Sequence, residues 1–256
     1  MIVDYHMHLR NEREEIAHDA SSVEPFVAAA REAGVDEIGF TEHVYYFRQT
    51  RSLWTVPYQT ERCVYDLDAY CDAVLEAKRR GLPVKLGLEV DYVGADQPRL
   101  AEILSAYPWD FLLGSVHWLD GEAVDSWPGI WERHETEQVW RTYFAALTEL
   151  TAYVDVLAHP DLPKIFGRRP SDPAAFYPVL EGVALEISTA GLRKPVGELY
   201  PDPQLLDGMP ITLASDAHKP ELVGADFDQA LALARSAGYE TVTVFDGRRA
   251  RQEPLG

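Results

Sequence analysis

Residues 2–9, Ile-Val-Asp-Tyr-His-Met-His-Leu, read as a short strand, Ile2–Tyr5, that runs out into two histidines. Side chains alternate along an extended chain, so His6 and His8 project from one face and can share one ion. Similar apolar runs, rich in Val, Ile and Leu, follow at Glu37–Thr41, Val84–Glu89, Phe111–Ser115, Val154–Ala158, Val183–Ser188 and Ile211–Ser215, with Thr241–Phe245 as a candidate eighth. Between them the spacing of apolar residues predicts helices at Val23–Ala33, Leu67–Arg80, Pro98–Ala106, Glu135–Ala152, Pro173–Glu181 and Asp228–Ala237. Several of these are closed by a glycine, namely Gly34, Gly81, Gly182 or Gly238. Strands alternating with helices predict an α/β fold whose parallel sheet is covered by helices. The number of units suits a closed TIM-like (β/α) barrel, in which catalytic groups sit at the C-terminal ends of the strands. An open doubly wound sheet is the competing architecture, but no GxGxxG or GxxxxGK[ST] motif occupies a βα turn.

The chain has 256 residues, 46% of them hydrophobic and 25% charged, with no linker, repeat or composition shift, so a single domain over 1–256 is expected. Lys and Arg number 23 against 42 Asp and Glu, a formal charge of −19, which disfavours a surface that gathers nucleic acid through its phosphates. Cys63 and Cys71 are the only cysteines, so a disulfide framework and a cysteine-based zinc cluster are both excluded. The first residues lack the apolar core of a signal peptide, and no run of about 18 apolar residues follows. A cytoplasmic protein with no membrane partner is expected.

The eight histidines are placed far from randomly. His6 and His8 follow the first strand, His43 the second, His117 the fourth and His159 the fifth, while Asp216 and His218 follow the seventh and Glu89 ends the third. In a parallel barrel these strand ends converge on one mouth, so distant residues would form one cluster of imidazoles and carboxylates. Asp216 and His218 repeat the i, i+2 spacing of His6 and His8. Imidazole with a few carboxylates and no thiolate set suits zinc, manganese or iron, and argues against calcium. One ion would be over-filled by so many donors, which favours two or three divalent ions bridged by Glu89 or a hydroxide. Such sites lower the pKa of a bridging water and clamp phosphoryl oxygens, so phosphate-ester hydrolysis fits best, with amide hydrolysis also open. His134 has no motif around it and is read as structural or exposed.

The segments DYHMH, TEH, GLEVDY, GSVHW, LAHPDL and SDAH, in this order between Val3 and about Gly224, resemble the PHP (polymerase and histidinol phosphatase) superfamily. Within it, EISTAGLRKPVGELYP at Glu186–Pro201 and SDAHKPELVG are most similar to the histidinol-phosphate phosphatases. The resemblance implies a distorted (β/α)7 TIM-like barrel of the PHP type with a trinuclear metal centre. It gives one ion to His6, His8, Glu89 and Asp216, with Glu89 bridging to a second ion held by His117 and His159. The third ion would use His18, His43 and His218. The segment LRNEREEIAHD departs from the family's short Thr- and Ser-containing stretch, and Glu14 and Asp19 are its other candidate donors.

The resemblance further implies hydrolysis of L-histidinol phosphate to L-histidinol and phosphate in histidine biosynthesis, by in-line attack of a metal-bridging hydroxide. Glu89, Asp216 and His218 would carry the catalytic site. Arginine is the preferred cation for phosphate because its fork binds two oxygens at once. Arg193 is the first choice for binding the substrate and stabilising the equatorial oxygens, Arg168 and Arg169 are the second, and Lys194 and Lys219 are nearby. The aromatic stretch HVYYFRQTRSLW either closes over the substrate's imidazole or folds on its own rings, and Trp118, Trp127 and Trp131 are either pocket wall or packing. A phosphatase acting on nucleotides, phosphosugars or phosphotyrosine is the alternative within the family. A nuclease is disfavoured by the absence of a basic surface, and a binding protein without turnover would require a lost ligand.

Overall fold

The computed structural model describes residues 1–10 and 18–256. The strands are β1 (Val3–Asp4), β2 (Glu37–Phe40), β3 (Val84–Leu86), β4 (Glu89–Asp91), β5 (Leu113–Ser115), β6 (Trp118–Leu119), β7 (Glu122–Ala123), β8 (Val156–Leu157), β9 (Ala184–Ser188), β10 (Ile211–Ala214), β11 (Thr241–Asp246) and β12 (Arg249–Pro254). The helices are α1 (Ala20–Glu32), α2 (Pro57–Arg62), α3 (Leu67–Arg79), α4 (Gln97–Leu104), α5 (Gly129–Arg133), α6 (Thr136–Leu150), α7 (Pro203–Leu206) and α8 (Phe227–Ser236). The fold is mixed α/β with two parallel sheets, ordered β1-β2-β3 and β10-β9-β8-β5-β4. Backbone hydrogen bonds run between them: Tyr5 N–H donates to the Leu213 carbonyl and Glu89 N–H to the Glu42 carbonyl, both at 3.0 Å, while Gly87 N–H continues the β2–β3 ladder to the Phe40 carbonyl at 2.9 Å.

The helices form where the sequence provides a cap and one apolar face. In α1 the Asp19 side chain accepts from the Ser21 and Ser22 amides, and Val23, Phe26, Val27 and Ala30 recur at helical spacing and are buried. In α3, Asp66 caps the start, and Leu67, Tyr70, Cys71, Val74 and Ala77 form the buried stripe. Gly81, at φ 80°, follows its end in a left-handed conformation that a glycine adopts without Cβ strain.

One end of the sheets is filled by rings. Phe111 is fully buried and stacks on Tyr5 and Phe245, with centroids 5.0 and 5.7 Å away. Gly39 and Gly87 make room for it, because a Cβ at either would sit 2.7 Å from the ring. His6, His8, His43, His117, His159 and His218 follow the C-terminal ends of the strands instead.

Two expectations are corrected here. The stretch Pro173–Glu181 forms only a 3₁₀ turn, Pro173–Phe176, after which Tyr177 is extended. Pro178 explains this, since proline disfavours helical backbone in the residue before it and has no N–H to give. The run Thr241–Phe245 does not extend the parallel sheets. It is β11, paired antiparallel with β12 through the Gly247 turn, a hairpin that the polar sequence RARQEP did not signal.

Candidate metal centre

The segment after β1 stays extended and is bound on both sides. Met7 bridges to Ala217 in parallel, His8 N–H donates to the Ala217 carbonyl at 2.8 Å, and Thr41 N–H donates to the Met7 carbonyl at 2.8 Å. This fixes His6 and His8 on the inner face beside the Asp216–His218 turn. Glu89 opens β4 and bridges in parallel to His43, the first residue after the Thr41–Glu42 step that leaves β2.

Glu89 is fully buried, and its two oxygens face different partners. Oε2 lies 3.6 Å from His6 Nε2, 3.7 Å from His8 Nε2 and 2.6 Å from His43 Nδ1. Oε1 lies 3.4 Å from both His117 Nε2 and His159 Nε2. Asp216 Oδ1 completes the first side, 3.6 Å from His6 Nε2 and 3.4 Å from His8 Nε2. Separations of 3.4–3.7 Å are too long for good hydrogen bonds. They match donors that share one ion, since two ligands about 2.1 Å from a tetrahedral centre stand roughly 3.4 Å apart.

Accordingly His6 Nε2, His8 Nε2 and both Glu89 oxygens are buried without a hydrogen-bond partner. Such orphaned groups are costly in a dry interior, and a cation among them removes the cost. Four groups of donors stand within ligand-sharing distance among the described residues: His8, His43, His218; His6, His8, Asp216; His6, Glu89, His159; and His43, Asp91, His117. His159 and Asp216 reach these groups with φ of 26° and 53°, a left-handed backbone that non-glycine residues rarely adopt. Strain of this kind collects where a side chain must be aimed.

Charge follows from the same packing. Burial pushes the Glu89 carboxyl up, but the surrounding His43, His117 and His6 outweigh it and hold it well below the ordinary range. Asp216 is likewise lowered by His6, His8 and His218 against the effect of burial. Burial lowers His8 and His117, but their carboxylate neighbours win and raise them to about 9 and about 10. For His43 burial dominates and pushes it down to about 3.

The structure does not bring His18 into these groups. Its buried side chain places Nε2 3.6 Å from Glu42 Oε1, and His8 takes its place beside His43 and His218. Asp19 is engaged as the α1 cap, and Glu14 lies outside the described residues. Arg193 Nη2 donates to the Ser215 carbonyl and Nη1 meets Asp226 Oδ2 at 3.3 Å, so this arginine braces the turn that carries Asp216. Arg169 is paired with Glu198, Nη1 to Oε1 at 3.2 Å. Arg168 is exposed, and among the described residues only its backbone carbonyl is engaged, by Trp140 Nε1 at 2.9 Å. Lys194 and Lys219 are exposed, and the charge of Lys194 reaches Asp216 and His218. His134 meets Glu122 at 3.1 Å, away from the centre.

The aromatic stretch folds on its own rings: Tyr45, Tyr46, Phe47 and Trp54 are buried, and Tyr45 stacks on His43 with centroids 4.9 Å apart. Trp118 and Trp131 are buried and Trp127 is partly exposed. Three carboxylates escaped the sequence reading. Asp91 stands 2.8 Å from His117 Nδ1, Glu186 stands 2.8 Å from His6 Nδ1, and Glu42 stands 3.6 Å from His8 Nδ1. The i, i+2 spacing of Asp91 from Glu89 was the available signal.

The PHP domain family matches residues 4–190. A probable histidinol-phosphatase of Deinococcus radiodurans is 32% identical over 240 residues, covering 88% of this chain and 91% of the relative. One from Schizosaccharomyces pombe is 24% identical, covering 90% of this chain and 85% of its own length. Among solved structures, a putative histidinol phosphatase of Listeria monocytogenes superposes with a TM-score of 0.72 at 20% identity, covering 89% of this chain and 99% of its own. The histidinol phosphate phosphatase of Lactococcus lactis, solved with zinc, L-histidinol and phosphate, gives 0.71 at 20% identity and 98% coverage of both chains. At that identity the two structures speak for the fold.

Proposed function

The chain belongs to the PHP domain family, and from that premise we propose that it is a metal-dependent phosphomonoesterase that hydrolyses L-histidinol phosphate to L-histidinol and phosphate. The observation that carries this reading is the divided carboxylate of Glu89, whose two buried, unpartnered oxygens face separate pairs of imidazoles, His6 and His8 on one side and His117 and His159 on the other. Its relatives' names supply the substrate. Two to three divalent ions (zinc, manganese or iron) would be held by His6, His8, Glu89 and Asp216, by Glu89, His117 and His159, and by His43 and His218 with His8. When bound, they supply Lewis-acid polarisation of the phosphoryl oxygens and a water of lowered pKa.

The chain's own residues do the rest. The carboxylates keep the imidazole nitrogens aimed inward, and Arg193 holds the Asp216 turn through the Ser215 carbonyl. Of the three arginines considered for the phosphate, Arg168 is the one whose guanidinium is not engaged by a carboxylate or carbonyl among the described residues. The −19 charge speaks for a small-molecule ester over nucleic acid. No helix among the described residues is long and apolar enough to cross a membrane. For the architecture, the hydrogen bonds from Tyr5 to Leu213 and from Glu89 to Glu42 support reading the two sheets as one distorted (β/α)7 barrel within a single domain over 1–256.

The test is phosphate release by protein reconstituted separately with manganese and zinc, on L-histidinol phosphate against nucleotide, sugar and tyrosine phosphates. A preference of about 10² in kcat/KM, roughly 2.7 kcal/mol in the transition state, supports the assignment. Equal, feeble turnover of all esters, or preference for another, overturns the substrate.

A further inference from the structure

We propose that Glu186 is the positioning residue that presets this centre by gripping two of its ligands at once, His6 through its ring and His159 through its backbone. The inference rests on the metal-centre reading above. Glu186 lies in the middle of β9, in the run Ala-Leu-Glu-Ile-Ser, where every residue is buried and it is the only charged one. A fully buried carboxylate is expensive unless each oxygen is satisfied, and here each has a different donor. Oε2 stands 2.8 Å from His6 Nδ1, and Oε1 accepts the His159 N–H at 3.1 Å. Glu186 is in none of the groups at ligand-sharing distance, so its role runs through the residues it holds.

The chemistry of the two contacts explains why a carboxylate is needed. An ionised carboxylate only accepts, so His6 keeps a proton on Nδ1, and Nε2, aimed at Glu89 and Asp216 3.6 Å from each, is the nitrogen left to bind an ion once its own proton is lost. At the other oxygen, the His159 amide is held in its left-handed backbone at φ 26°, the conformation that carries its ring toward Glu89 Oε1. His6 and His159 come from opposite sides of the centre and meet in one donor group with Glu89. A glutamine cannot do both: its oxygen satisfies one donor, and its NH₂ then confronts the other or forces His6 to the wrong tautomer. Asp91 makes a related contact to His117 Nδ1, but shares that nitrogen with Ser115 Oγ at 3.2 Å and grips no second ligand's backbone.

The experiment measures zinc affinity by competition with a chromophoric chelator for the wild type, Glu186→Gln and Glu186→Asp, at a temperature where circular dichroism shows each metal-free protein folded. The His6 tautomer is read from long-range ¹H–¹⁵N correlations of the zinc-loaded wild type. Glu186→Gln is expected to weaken zinc binding about 10- to 100-fold, with partial recovery in Glu186→Asp, which keeps two acceptor oxygens on a shorter stem. The wild-type His6 ring is expected to carry its proton on Nδ1. Binding by Glu186→Gln within about threefold of wild type overturns the proposal, as does a His6 ring protonated on Nε2. Should Glu186→Gln not fold, the wild-type tautomer decides alone. A wild type that takes up no zinc sinks the metal-centre reading, a result distinct from a wild type that binds while Glu186→Gln binds equally well.

Discussion

Loading the metal-free protein with zinc is expected to expel about three protons at pH 7, and the count follows from which imidazoles are charged before the ions arrive. Burial opposes a proton on His6, His8 and His117, but Glu186, Asp216, Glu42, Glu89 and Asp91 surround them. The carboxylates win, setting His8 at about 9, His117 at about 10 and His6 well above its ordinary value. At pH 7 a group with a pKa of about 9 is roughly 99% protonated, so His8 and His117 carry charge, His6 is shifted the same way, and each must lose a proton before it can ligate. His43 and His218 release nothing, because burial has already made them neutral. Glu89 and Asp216 release nothing either, since the imidazoles keep them ionised. Each released proton makes the overall binding constant rise about tenfold per pH unit, so three give roughly 10³-fold per unit around neutrality. Isothermal titration in buffers of different ionisation enthalpy gives the number directly. Release of fewer than about one proton would mean that the imidazoles are neutral in the metal-free protein, and the charge balance argued from the carboxylates would be wrong.

The metal-free protein should also lose stability in alkali. The folded-state pKa values of His8 and His117 are raised, so their contribution is complete below about 6.5 and disappears as pH climbs through about 9 and about 10. Melting temperatures of the apo form from pH 6 to 10 should fall across that window, and a flat profile would contradict it. Glu89→Gln removes the charge shared by both sides of the centre, and kcat/KM should drop at least about 10³-fold, some 4 kcal/mol, with a lower metal content by elemental analysis. Arg193→Ala and Arg168→Ala should separate: the first loosens the Asp216 turn and lowers metal content and kcat together. The second should raise KM about tenfold with metal content unchanged, as expected for a lost phosphate contact. Phe111→Ala empties the ring stack between Tyr5 and Phe245, and thermal or urea unfolding should register a loss of about 3–5 kcal/mol.

What the sequence revealed and what it hid divide along a physical line. The convergence of His6, His8, His43, His117, His159, Asp216 and His218 was legible because each follows a strand, and a parallel sheet gathers strand ends whatever the loops do; Glu89 joins them from the start of β4, where the expected strand Val84–Glu89 divides in two. Helices α1, α3, α6 and α8 were legible from their apolar stripes. The β6–β7 hairpin, the short helices α2, α5 and α7, and the failure of Pro173–Glu181 to form a helix depend on a few local residues. There, one proline or one turn outweighs a weak periodic signal. His18 shows the limit of motif spacing: it reaches the neighbourhood, but its ring lies against Tyr65 and Tyr70 and its nitrogen meets Glu42 rather than the donors of His43.

Glu186, Asp91 and Glu42 are the more instructive omissions. A carboxylate inside an apolar strand reads as an isolated exception, because its partners are imidazoles up to 180 residues away and no one-dimensional pattern joins them. Yet Glu186 and Asp91 stand at hydrogen-bond distance from the Nδ1 atoms of His6 and His117, so that in each of these rings Nε2 is the nitrogen turned toward Glu89. The donors of such a centre can be read from strand ends, whereas their protonation is set by neighbours that only the folded chain assembles.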